Sequence, residues 1–301
     1  MPLLIANQTE VLERALCLVG FSEERQARVQ RKKNIERFAT HFGCRVPLAH
    51  SILWEDLQKE GLLQNPTLGD LDNFLMTIHF LTKYPTELQC EALFDKCDRT
   101  VRKWVWHYIS LFQVMFGVKV TWPDVWNPDR NPDLPQSTFI TSVDGVHCPI
   151  WEPQHPTLSK NTKFYSHKFK GPALDYEIGI SLYENKVVWV NGPFKASKHD
   201  ITIFRSALKA KIPKGKLVIA DLGYRGEKKI IAVPNSHDIA EVRDFKGRAR
   251  ARQESFNKKI KNYKVLTDKF RHGIEKHKMC FEACVLLGQY QLENGSPLFD
   301  V

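Results

Sequence analysis

The sequence predicts an α/β protein, a mixed sheet flanked by helices, preceded by an all-helical region. Three observations carry this. Apolar residues in the first 120 positions recur at helical spacing, those after position 138 alternate or run on as strands do, and a Pro- and Asp-rich stretch separates the two regimes. Hydrophobic residues at 43% and charged residues at 26% exclude a disordered or fibrous chain, and 301 residues allow two domains.

Arg31–His41, a turn at Gly43 and Val46–Gln58 read as helix, glycine turn, helix. Ile35, Phe38 and Ala39 share a face, and Gly43 can take the positive φ that closes a helix. A second set follows: Leu75, Ile78, Phe80 and Leu81 mark a lead helix, and Pro85-Thr86 opens another through Phe94. Asp95-Lys96-Cys97-Asp98 then turns into Arg99–Ile109, with Asp98 the expected N-cap. Val101, Val105 and Ile109 fall at i, i+4 and i+8 and face inward, leaving Arg99, Arg102 and Lys103 outside. A helix-turn-helix over about 72–110 needs this pattern, with cations near the recognition-helix start for phosphates or base edges. Ordinary three-helix packing is the alternative.

Residues 121–137 carry four prolines and read as a linker. They divide a helical region, 1–120, from a sheet-bearing domain, 138–301. In the latter, Phe139–Val143 is a strand running into Asp144-Gly145. Tyr176–Tyr183 alternates, turns at Glu184-Asn185 and returns as Lys186–Val190, a hairpin. Asp200 begins a helix through Leu208, Lys216–Ala220 is an apolar strand ending at Asp221, and Arg248–Asp268 and Glu275–Tyr290 are helical.

Charge follows the same division. Residues 1–136 hold 16 Lys+Arg against 17 Asp+Glu, and residues 137–301 hold 28 against 17, giving the net +10. A basic excess confined to one half predicts a polyanion-facing surface, with nucleic acid the expected partner. No apolar run approaches the roughly 18 residues of a membrane span, so no membrane partner is expected. The N-terminal Met1–Gln8 lacks the basic and apolar regions of a secretory signal. Seven scattered cysteines predict reduced thiols in an intracellular protein. His272, His277, Cys280 and Cys284 read as helix packing rather than a zinc set.

Two carboxylates stand at strand ends, Asp144 and Asp221. Ionised carboxylates side by side repel, so pairing them makes sense where a divalent cation holds them. Either alone is equally a turn starter. Glu254 adds a third, on a helix whose polar stripe is Arg250, Glu254, Asn257, Lys258 and Lys261 and whose apolar stripe is Phe256, Ile260 and Tyr263. Its plainer role is a surface ion pair. Three such carboxylates can hold two Mg²⁺ or Mn²⁺ ions about 4 Å apart for in-line phosphoryl transfer, with the neighbouring cations gripping phosphates. His199-Asp200 reads as a helix N-cap, with a supporting role behind the metal ligands as the alternative. Lys160, Lys163, Lys168 and Lys170, interleaved with Phe164, Tyr165 and Phe169, suit a DNA backbone track. Seven cations against Glu36 across Arg25–Arg45 offer a second phosphate-binding surface.

Residues from about 72 onward resemble the PIF/Harbinger-type DDE transposases, DDE superfamily endonucleases with a preceding helix-turn-helix. The matching segments are Phe74–Thr86 with Ala92–Phe94 and Arg99–Val101, Val143–His147, Gly192–Asp200, Ala220–Tyr224 with Val233-Pro234, and Arg250–Glu254 leading to Lys269–Arg271. Two departures, Ala220 where the family has glycine and Lys195–Asp200 where it has Gly-Ser-Val-His-Asp, remove no ligand. The resemblance implies an RNase H-like fold and a metal-dependent triad of Asp144, Asp221 and Glu254. It also implies double-stranded DNA as substrate, at element ends and target, suggests a Myb-like DNA-binding partner and leaves room for a homo-oligomer; the DNA substrate and the reduced cysteines together predict action in the nucleus. The rival is a domesticated transposase-derived DNA-binding protein without strand transfer.

Overall fold

A computed structural model describes Leu4, residues 6–124, Trp126, and residues 138–151, 162–235 and 237–301. The predicted linker lies largely outside the described residues, as does Lys160. Two compact units are present. The first comprises Met1–Lys119, Ile260–Thr267 and Glu275–Pro297; the second comprises Val120–Lys259, Asp268–Ile274 and Leu298–Val301.

The helical unit runs through α1 (Gln8–Leu18), α2 (Glu23–Ala27), α3 (Arg31–Phe42), α4 (Pro47–Lys59), α5 (Leu68–Lys83), α6 (Glu87–Phe94) and α7 (Asp98–Lys119). Capping boxes start three of them: Asn7 with Glu10, Thr67 with Asp70, and Thr86 with Gln89. Gly43 ends α3 at φ 79°, and a Cβ there would meet the Tyr263 ring at 2.5 Å, so glycine serves both backbone and packing. Helix α7 opens one residue earlier than expected. The Cys97 carbonyl accepts from Val101 N, while Asp98, the predicted cap, is the first helical residue and accepts from Arg99 N.

The second unit is built on a six-stranded sheet: β1 (Phe139–Pro149), β2 (Tyr165–Ser166), β3 (Gly171–Ser181), β4 (Val187–Lys195), β5 (Leu217–Ile219) and β6 (Ile231–Ala232). Strands β2 and β4 pair with β3, β3 runs antiparallel to β1, and β1, β5 and β6 are parallel, in the order β3-β1-β5-β6. The fold is a mixed α/β sheet consistent with an RNase H-like arrangement. Helix α8 (Asp200–Ser206) covers one face, where Val143, Phe204, Leu208, Val218, Ala220 and Tyr224 pack. Helix α9 (Ala240–Ile260) covers the other, where Ala249 joins Phe139, Leu182, Ile219 and Ala232.

Helix α9 starts at Ala240 rather than Arg248 and stops at Ile260 rather than near Asp268. Its first turns carry only a thin apolar stripe, Val242, Phe245 and Ala249, set among charged residues, and the sequence reading passed over it. Its buried face is partly polar: Arg252 is buried and donates to the carbonyls of Ser181, Glu184 and Phe299. Helix α10 (Ile274–Glu293) is buried on every side from Cys280 to Leu292, and its residues from Glu275 belong to the helical unit. There Tyr290 donates to Asp56 Oδ2 at 2.8 Å. His277, Cys280 and Cys284 are buried in it, and none of the seven cysteines forms a disulfide.

Candidate active site

Asp144 lies inside β1, which runs on to Pro149 rather than ending at the carboxylate as the sequence suggests, and Asp221 follows the end of β5. Ser142 and Ile219 are the last residues in parallel register between β1 and β5; Asp144 and Asp221 each follow two residues on, close enough that the charge of Asp221 is felt at Asp144. Side chains alternate along a strand, so Asp144 shares the face that α9 covers with Ser142, whose hydroxyl bonds Gln253 Oε1 at 2.8 Å. Asp144 is fixed at both oxygens: Gly145 N–H donates to Oδ1 at 2.9 Å and Asn257 Nδ2 to Oδ2 at 2.8 Å. Asp221 accepts from Gly223 N–H at 2.8 Å as it caps a 3-10 turn, Leu222–Tyr224.

A second carboxylate set occupies the opposite face. Antiparallel pairing puts Gly145 against Glu177 and His147 against Asp175. Asp175 and Glu177 are fully buried. Neither oxygen of Asp175 has a hydrogen-bond partner of good geometry among the described residues, though the Tyr176 N–H lies close enough to pull its pKa down a little. Glu177 accepts from Trp189 Nε1 at 2.8 Å through one oxygen; its other oxygen has no partner of good geometry among the described residues, though the Tyr224 hydroxyl is close enough to lower its pKa. Asp200 approaches from the start of α8. It is not the N-cap the sequence predicts; His199 holds that position, without a capping hydrogen bond, and Asp200 is the first helical residue.

Two glycines leave the room these groups need. A Cβ on Gly145 would sit 3.2 Å from Asp200 Oδ1 and 3.5 Å from Asp175 Oδ1. A Cβ on Gly223 would sit 2.4 Å from Asp200 Oδ2 and 3.1 Å from Asp221 Oδ1. Neither glycine has a positive φ. Their requirement is space, not turn geometry.

Crowded, desolvated carboxylates resist ionisation. Burial, then the charge of Asp221, pushes the Asp144 carboxyl up to about 6, against the bond from Gly145 and the nearby charge of Lys168. Burial and Asp200 push Asp175 to about 8, and burial pushes Glu177 to about 7. Asp200 is also raised, by burial and by Asp221. Hard oxygen donors that are buried, incompletely hydrogen-bonded and mutually repelling fit a divalent cation. Ligand atoms of His147, Asp175 and Asp200 all lie within 4.8 Å of one another.

Glu254 is not drawn into this cluster. It lies on α9 one turn before Asn257, its side chain 68% exposed, with Arg250 Nη2 at 3.9 Å. Lys258 is exposed on the same helix, and Lys261 follows its end. Lys168 is exposed at a turn before β3, and its charge reaches Asp144 and Asp200. In the helical unit, α6 and α7 are joined through Asp95, whose φ of 50° ends α6. Arg99, Arg102 and Lys103 are exposed there. Arg102 is held by Glu87, Nε to Oε1 at 2.8 Å, with Asp98 at 3.3 Å, and Lys103 lies over the Trp104 ring.

Sequence reasoning missed Asp175 and Glu177, and it read His147 as a strand histidine in an ordinary hydrogen bond, with approach to a phosphate as the alternative. The signal available was an Asp-x-Glu alternation inside an otherwise apolar strand, Leu174–Ser181. Two acids at strand period point to one face, and burial of that face needs a reason.

With this geometry in view, the chain can be set beside known families. Residues 143–289 match the family model described as DDE superfamily endonuclease. The match supports endonuclease- or transposase-type function with DNA as substrate. No curated protein and no solved structure matches the chain. Among the described residues no helix is long and apolar enough to cross a membrane.

Proposed function

We propose that this chain is a DDE-type transposase that cuts and joins DNA by metal-dependent phosphoryl transfer. The carrying observation is the closeness of Asp144, inside β1, to Asp221, just past the neighbouring β5, with Asp144 tied by Asn257 to the helix that bears Glu254. Asp144, Asp221 and Glu254 would hold the divalent ions, two Mg²⁺ or Mn²⁺, with Asp200 alongside. Ions bound there activate a water or 3′-hydroxyl and stabilise the leaving oxygen.

The protein's own groups do the positioning. Asn257 and the Gly145 N–H set the orientation of Asp144, and the Gly223 N–H sets that of Asp221. Glu254, exposed on α9 one turn before Asn257, would have to turn from Arg250 toward Asp144 and Asp221 to join them. Lys168, Arg250, Lys258 and Lys261 offer positive charge for the phosphate backbone. Helices α6 and α7 form the proposed helix-turn-helix, presenting Arg99, Arg102 and Lys103 to element DNA. A Myb-like partner, a homo-oligomer and a nuclear location belong to the same reading.

The test is the cleavage of supercoiled DNA in Mg²⁺ or Mn²⁺ by the wild type, Asp221→Asn and Asp144→Asn. The wild type should nick and both variants should not, while retaining fold and DNA binding. Binding without cleavage by the wild type in either metal would instead favour a domesticated DNA-binding protein.

A further inference from the structure

The carboxylates form two sets, on opposite faces of β1, and only the Asp144–Asp221 face serves the proposed phosphoryl transfer. The other face holds a fully buried Asp175 with no well-formed hydrogen bond at either oxygen. A buried carboxylate in that condition is costly, and the structure around it does not relieve the cost. His147 Nε2 faces Asp175 Oδ1 at 3.6 Å, longer than a hydrogen bond. The other ring nitrogen, Nδ1, is 3.0 Å from Ser166 Oγ, an outer contact of the kind that orients metal-binding imidazoles. Asp200 completes the group, with all three ligand atoms within 4.8 Å of one another. Small adjustments close that spacing to what a cation bound at roughly 2.0–2.2 Å from each ligand requires.

Asp200 faces both sets. Its Oδ1 lies toward Asp175 across the space left by Gly145, and its Oδ2 toward Asp221 across the space left by Gly223. A carboxylate so placed can bridge.

We infer that His147, Asp175 and Asp200 form a second cation site on the α8 face of the sheet, joined to the Asp144–Asp221 pair through the Asp200 carboxylate. The bridging to a catalytic ion rests on the proposed nuclease reading; the His147–Asp175 site itself does not. One imidazole and two carboxylates suit a transition ion such as Mn²⁺ or Zn²⁺ better than Mg²⁺, which prefers oxygen alone. Glu177, fully buried beside the site, supplies further negative charge. The site's role is structural: it neutralises Asp175 and holds Asp200 in place.

The experiment uses the full chain, stripped with chelator and titrated with Mn²⁺ in excess Mg²⁺, with bound Mn²⁺ counted and examined by electron paramagnetic resonance. One Mn²⁺ per chain should resist Mg²⁺ and show coupling to an imidazole nitrogen. Asp175→Asn and His147→Ala should each weaken it at least tenfold, with circular dichroism confirming the fold, and Asp144→Asn should retain it. Retention of the same Mn²⁺ by both Asp175→Asn and His147→Ala, or no Mg²⁺-resistant ion in the wild type, would overturn the site. Normal cleavage by Asp144→Asn would defeat the nuclease reading while leaving this site standing.

Discussion

Asn257 on α9 donates a 2.8 Å hydrogen bond to Asp144 Oδ2 on β1, joining a helix to the first strand across 113 positions of sequence. The contact fixes the carboxylate's rotation, because the Gly145 N–H already holds the other oxygen. Asn257→Ala should lower metal-dependent cleavage by about 10–100-fold, the usual cost of losing an outer contact to a metal ligand. Thermal stability should change little beside that loss. Unchanged turnover would mean that Asp144 is positioned without Asn257.

The raised carboxyls make a pH prediction. Asp144 near 6, Glu177 near 7 and Asp175 near 8 keep protons in the folded state that the unfolded chain releases near pH 4. The folded state therefore binds more protons, and metal-free stability falls as pH rises from about 4 to 8. Divalent ions compete with those protons, so the Tm gain from Mn²⁺ should be larger at pH 8 than at pH 5.5. Calorimetry in buffers of different ionisation enthalpy should record proton release on binding. An equal Tm gain at both pH values would show that these carboxyls are not the ligands.

Gly223 tests whether the carboxylates truly meet. A Cβ there would fall 2.4 Å from Asp200 Oδ2, with no positive φ to add backbone strain. Gly223→Ala should leave the circular dichroism spectrum native and weaken Mn²⁺ binding at least tenfold. Wild-type affinity would show that Asp200 has somewhere else to go.

Glu87 and Arg102 bear on the helical unit. Their pairing occupies the guanidinium that the helix-turn-helix reading assigns to DNA. Glu87→Gln should release it, tightening DNA binding and steepening the dependence of affinity on salt by about one phosphate contact. Binding assays at two salt concentrations decide this. No change in either quantity would leave the pair as a surface link between α6 and α7.

Much of this was legible in sequence because it follows period and punctuation. The β3–β4 hairpin, the apolar β5 and the helices from α3 onward announced themselves through alternation, helical spacing and caps at Thr86 and Gly43. Asp144 and Asp221 were visible because each ends an apolar run. The start of α9 was missed because its first turns offer only Val242, Phe245 and Ala249 among charged residues. Asp200 was misread because an Asp before a helix is ordinarily a cap, and its true neighbours come from β3 and the turn after β5. Asp175 was missed for a related reason: only the β1–β3 register brings it opposite His147. The glycines at 145 and 223 looked like turn formers, whereas their work is to make room.

The central claim is that Asp144, Asp221 and Glu254 act together on DNA, and Glu254 is the member that stands apart in the structure. The most direct measurement is nicking of supercoiled DNA in Mg²⁺ or Mn²⁺ by the wild type and Glu254→Gln, with bound DNA quantified in the same tubes. Glu254→Gln should bind DNA as the wild type does and fail to cut it. Cutting at the wild-type rate by Glu254→Gln would contradict the claim, and would move the third carboxylate's role to Asp200.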